Sequence, residues 1–73
     1  MTKRSITIRG HRTSVSLESA FWDALKEAAA EDGRTVSALV AEIDAGRRDA
    51  PLSSAIRVHL LARYRALARC ARR

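Results

Sequence analysis

The chain is predicted to be mostly helical with one short β-strand. The expected order is strand, helix, helix and a third C-terminal helix, in an intertwined homodimer sharing a two-stranded antiparallel ribbon. Three observations predict this. Apolar residues alternate at every second position near the N-terminus and fall at helical spacing from Ser19 onward. With 73 residues, 47% of them hydrophobic, the chain is too apolar to stay disordered. A lone domain of this size nevertheless buries only about 60% of its unfolded surface. The usual staples are also missing. Cys70 has no partner for an intrachain disulfide, and with His11 and His59 it matches no zinc-ligand spacing. A second copy of the chain is then the remaining source of buried surface.

The strand signal lies in Ser5-Ile-Thr-Ile-Arg-Gly-His-Arg-Thr-Ser-Val-Ser-Leu17, rich in β-branched side chains. Ile6 and Ile8 are even-numbered while Val15 and Leu17 are odd, so one straight strand cannot place all four on one face. A two-residue hairpin loop at Gly10-His11 resolves the conflict by pairing Ile8 with Thr13 and Ile6 with Val15. It also sets Arg9 opposite Arg12, an unfavourable like-charge pair. A bend at the same point avoids that pair and is the preferred reading. It leaves residues 1–11 as a basic N-terminal arm, with 5–9 a candidate extra strand.

Helical spacing then takes over. Phe21, Ala24, Leu25, Ala28 and Ala29 form one apolar stripe, with Trp22 one step from its centre as a core or dimer-contact residue. Ser16 is the candidate N-cap of this first helix and Gly33 its terminating glycine. Thr35 is the expected N-cap of the second helix, where Val36, Leu39, Val40 and Ile43 repeat the pattern up to Gly46. Asp49-Ala50-Pro51 breaks the chain. A third helix starts near Leu52, with Ile56, Leu60, Leu61, Tyr64 and Leu67 among arginines.

A single short strand cannot make a sheet, and an isolated hairpin is marginal in water. Pairing with its copy from a second chain satisfies the strand's backbone and turns Val15 and Leu17 onto helices. Arg12, Ser14 and Ser16 then point the other way, with no core to pack on. A two-stranded ribbon of this kind fits the major groove of B-DNA.

Charge is distributed in three blocks. Lys3, Arg4, Arg9 and Arg12 give the N-terminal twelve residues +4. Residues 13–45 carry −5, from Lys26 and Arg34 against Glu18, Asp23, Glu27, Glu31, Asp32, Glu42 and Asp44. Residues 46–73 carry +7, from eight arginines against Asp49, and the total of +6 suits a polyanionic partner. The longest apolar run is far below the roughly 20 residues needed to cross a bilayer, and no membrane partner is expected. Lys3-Arg4 leads into Ser5-Ile6-Thr7-Ile8-Arg9 rather than an apolar leader, so a cytoplasmic protein is expected. No nucleophile–base arrangement, Gly-rich phosphate loop or metal-ligand spacing appears, and neither catalysis, a cofactor nor a metal is expected.

The run Arg12-Thr-Ser-Val-Ser-Leu17, a helix closing on Glu31-Asp32-Gly33-Arg34, and Thr35-Val36-Ser37 opening the next helix resemble a ribbon-helix-helix domain of the Arc/MetJ type over residues 12–46. More loosely, Gly10-His11-Arg12-Thr13-Ser14 and Leu52-Ser-Ser-Ala-Ile-Arg57 are similar to a group of bacterial ribbon-helix-helix proteins of undefined role. Residues 47–73 are then a linker and an extra basic helix. The resemblance implies a homodimer that binds double-stranded DNA, as a transcriptional repressor or as the DNA-binding part of an antitoxin. It implies that Arg12, Ser14 and Ser16 reach base edges, arginine bidentately to guanine and serine with weaker discrimination. Thr35, Val36 and Ser37 would set backbone N–H groups against a phosphate, and Lys3, Arg4 and Arg9 would add phosphate contacts. The expected dimer core is Val15, Leu17, Phe21, Trp22, Leu25, Val36, Leu39, Val40 and Ile43. A second reading keeps the fold but uses the C-terminal helix to dock a protein partner, as an adaptor or antitoxin. Assembly beyond a dimer on DNA is compatible with either.

Overall fold

The computed structural model describes residues Met1–Ala71; Arg72 and Arg73 of the basic tail lie outside the described residues. Its elements are β1 (Thr2–Ile8), β2 (His11–Leu17), α1 (Ser19–Glu31), α2 (Val36–Gly46) and α3 (Leu52–Ala71). The two strands pair antiparallel, from Thr2 opposite Leu17 to Ile8 opposite His11. A ribbon therefore forms within one chain. Residues 2–8 are a full strand rather than an arm, and the fold carries two strands where one was expected.

The physical reason is the position of the turn. The loop is Arg9-Gly10, one residue earlier than Gly10-His11, and both residues have positive φ, 50° and 82°. That is the backbone of a type I′ turn, whose twist matches a hairpin. Even-numbered residues of β1 now face odd-numbered residues of β2, and Ile6, Ile8, Val15 and Leu17 are all buried on one side. Arg9 sits in the loop and Arg12 lies opposite Thr7, so the like-charge pair is avoided as well.

The helices cover that apolar face. Leu17, Leu25, Leu39, Val40, Ile56 and Leu60 are essentially without exposure, joined by Trp22, Ala28, Ala29 and Ile43. Each large side chain buried in this way contributes roughly 1.5–3 kcal/mol relative to exposure. Trp22 closes the open end of the hairpin: its Nε1–H donates to the Thr2 carbonyl at 2.8 Å.

Helix ends follow local chemistry. Glu18, not Ser16, is the N-cap of α1, and its carbonyl accepts from the backbone N–H of Phe21 and Trp22. At the other end Gly33 takes φ 66°. Arg34 N–H donates to the Ala29 carbonyl at 3.0 Å and Gly33 N–H to Ala30 at 3.1 Å, the paired bonds of a Schellman stop. Thr35 then caps α2 by accepting from Ala38 N–H at 3.0 Å, a contact worth about 1 kcal/mol in similar helices.

α3 packs along the other helices with Ile56 and Leu60, and ion pairs tie it to α1. Arg57 bonds Glu18 at 2.9 Å, and Arg63 bonds Glu31 at 2.8 Å and Asp32 at 3.1 Å. Its last turns run beyond the core, where Leu67 is half exposed.

Candidate nucleic-acid interface

The hairpin has one apolar and one polar face. Register sets Lys3 opposite Ser16, Ser5 opposite Ser14 and Thr7 opposite Arg12 on the outer face. Five of these six residues are exposed and Ser16 is half-buried. No carboxylate is among them. The face offers two cations and four hydroxyls, which donate to phosphate oxygens or read base edges. Strands about 4.8 Å apart fit side by side in a major groove about 12 Å wide.

Hydrogen-bond alternation adds a second property. Ile8 and His11 flank the turn and exchange bonds across it, so the bonded pairs continue at alternate positions along the ribbon. The N–H and C=O groups of Arg12, Ser14 and Ser16 therefore point away from β1, along an open edge of β2. The residues whose side chains form half of the polar face thus also carry the backbone groups of that edge.

The remaining expected site residues divide. Lys3 joins the outer face, and Arg9 occupies the turn at its end. Arg4 does not join them: its register opposite Val15 puts it on the other side, where its guanidinium lies 5.5 Å from the centroid of the Trp22 ring. Thr35, exposed, and Val36 and Ser37, half-buried, open α2. Thr35 uses its hydroxyl on Ala38, while the N–H groups of Val36 and Ser37 occupy the first turn, where helices have no internal acceptor. Arg34 beside them is paired with Glu42, and its hydrogen bond holds the Glu42 carboxyl below the usual carboxylate range. Of the expected dimer core, Val15, Leu17, Trp22, Leu25, Leu39, Val40 and Ile43 are buried within one chain, and Phe21 and Val36 pack at its margin.

Ser5 and Thr7 were missed as candidate contacts. Reading Arg9-Gly10 as the turn would have found them, because a two-residue loop there satisfies the parity of all four apolar positions. The β1 residues that face away from the core follow directly.

A model of the ribbon-helix-helix domain family matches residues 1–64, most of the chain. The chain belongs to the ribbon-helix-helix family. Ribbon-helix-helix proteins are generally DNA-binding regulators rather than enzymes. A solved structure, that of an uncharacterized protein from Bordetella pertussis Tohama I, is similar at 36% identity and a TM-score of 0.73. The similarity covers 99% of this chain and 61% of that one, so this chain spans less than two thirds of its neighbour's length. No curated protein matches the chain. Among the described residues no helix of this ribbon-helix-helix chain is long and apolar enough to cross a membrane, and no three metal-ligating side chains cluster.

Proposed function

We propose that the protein is a cytoplasmic, homodimeric, sequence-specific DNA-binding protein of the transcriptional repressor type, reading the major groove with its β-ribbon. The observation that carries this reading is the hairpin's outer face, polar, cationic and free of carboxylates, beside an open β2 edge. Antiparallel pairing of two β2 edges gives a four-stranded sheet in the order β1, β2, β2, β1. The two central strands hold Arg12, Ser14 and Ser16 over base edges. The outer strands lie three spacings apart, about 14 Å, slightly wider than the groove. Lys3, with Arg9 at the turn, therefore meets the phosphate walls. The N-terminus of α2 at Thr35, Val36 and Ser37 supplies a further phosphate contact through backbone N–H groups. The β1–β2 hairpin with α1 and α2 forms the reading unit, and α3 extends it.

Arg12→Ala tests this reading. Loss of a bidentate guanine contact weakens binding to a selected duplex by about 1–3 kcal/mol, roughly 5- to 150-fold, with mass and circular dichroism unchanged. Fluorescence anisotropy on the selected duplex measures it. Unaltered affinity in Arg12→Ala would rule out readout by this ribbon.

A further inference from the structure

We infer that the cleft between the hairpin turn and the α2–α3 junction is a seat for one phosphate group of the bound duplex. This inference rests on the DNA-binding reading above and adds a contact that the ribbon's outer face does not contain. The cleft is about 210 Å³ in volume. Arg9 lines it from the turn, His11 and Thr13 from the helix-facing side of β2, Asp44 and Arg47 from the end of α2, and Leu52 from the start of α3.

Three observations point to an anion of this kind. The first is the state of Arg47. Its Nε–H donates to the Asp44 carboxylate, and its Nη1 donates to the Ala50 carbonyl at 3.0 Å. A guanidinium carries five N–H donors in one plane, so three remain on a group already fixed in place. The second is charge. Arg9 and Arg47 against Asp44 leave +1 in the cleft, and His11 adds to it when protonated. A backbone phosphodiester carries one negative charge, and Arg47 already neutralises Asp44. The third is the backbone of Arg9. Its φ of 50° is one that glycine or asparagine enters more easily, and such outliers gather where a particular side chain is needed. The side chains of Arg9, His11 and Thr13 make no hydrogen bond among the described residues, so their donors are available.

Position selects the duplex backbone over a free phosphate. Arg9 ends the ribbon whose outer face meets base edges in the reading above. A major groove about 8.5 Å deep raises its phosphates above those edges, toward the side of the ribbon on which the cleft opens.

The test has two arms on the full chain, each run on wild type, His11→Ala, Arg47→Gln and Arg48→Gln. Arg48 is the control, since it is exposed beside Arg47 and does not line the cleft. Circular dichroism reports folding, and His11→Ala alters only an exposed side chain, so it still judges the seat if Arg47→Gln unfolds. The first arm is fluorescence anisotropy with random-sequence duplex DNA. The second is an amide NMR titration with inorganic phosphate at constant ionic strength. His11→Ala and Arg47→Gln are each expected to weaken duplex binding at least about threefold, the loss of one hydrogen bond. Arg48→Gln is expected to lose less than either. Duplex binding unaltered in both His11→Ala and Arg47→Gln, or an equal loss in Arg48→Gln, overturns the inference and leaves the ribbon to be judged by Arg12→Ala alone. Saturable phosphate binding that His11→Ala and Arg47→Gln abolish, with duplex binding unaltered, gives the seat to a free phosphate-bearing molecule and overturns the duplex assignment. A chain that takes up phosphate through Arg47 but binds no duplex contradicts the DNA reading and leaves the phosphate seat standing.

Discussion

Arg9 holds a left-handed backbone conformation that a side chain with a β-carbon enters at a cost of about 1–2 kcal/mol. Asparagine tolerates it better, and type I′ turns favour Asn-Gly. Arg9→Asn is expected to raise stability by about 1 kcal/mol, read as a higher urea midpoint. The same substitution removes a phosphate ligand from the proposed interface and so weakens DNA binding. An unchanged midpoint would contradict the strain. Gly10→Ala goes the other way: nothing lies within 4 Å of the added carbon, so its destabilisation measures backbone conformation alone. At this scale much of the fold was legible. Thr35 as a cap and Gly33 as a stop follow from short polar side chains and missing β-carbons. Ser16 failed as a cap because its residue stays in the ribbon, paired with Lys3.

Elements were less evenly legible. Helical stripes identified all three helices because a 3.6-residue period over ten or more residues is hard to mistake. β1 was harder to read. Its alternation is strong, but a parity break admits either a bend or a tight loop, and moving the loop by one residue reassigns every partner. The outer face was therefore only half seen: Arg12, Ser14 and Ser16 without Ser5 and Thr7. α3 is likewise more than an appendage. Ile56 and Leu60 belong to the core, and arginine pairs hold the helix to α1. A bond with its own backbone N–H, and then one from Arg57, holds the Glu18 carboxyl below its ordinary range; Arg63 does the same for Asp32. Both carboxyls have lower pKa values folded than unfolded. Their stabilisation is thus complete above the unfolded value near 4 and is lost as pH falls through the folded value. The urea midpoint is expected to hold between pH 7 and about 5 and to drop below about 4. Arg63→Met should flatten that drop, and an acid limb as steep as wild type in that variant would contradict the linkage.

Across the whole molecule, the three charge blocks resolve into two uses. Five carboxylates of the acidic middle (Glu18, Glu31, Asp32, Glu42 and Asp44) pair with Arg34, Arg47, Arg57 and Arg63. Those pairs hold the fold together. Lys3, Arg9 and Arg12 make no ion pair among the described residues and sit together on the ribbon or its turn. The net charge alone did not show this division, because the pairs of Arg57 and Arg63 form only when α3 lies against α1. Binding to polyanions is then expected from the ribbon end rather than from the arginines that anchor α3. The most direct check is an equilibrium titration of the protein with random-sequence duplex DNA between about 50 and 200 mM salt. If Lys3 and Arg9 of two copies each neutralise one phosphate, log K falls linearly against log salt with a slope of about −4. Failure to bind at the lowest salt, or a slope near zero, would contradict the account.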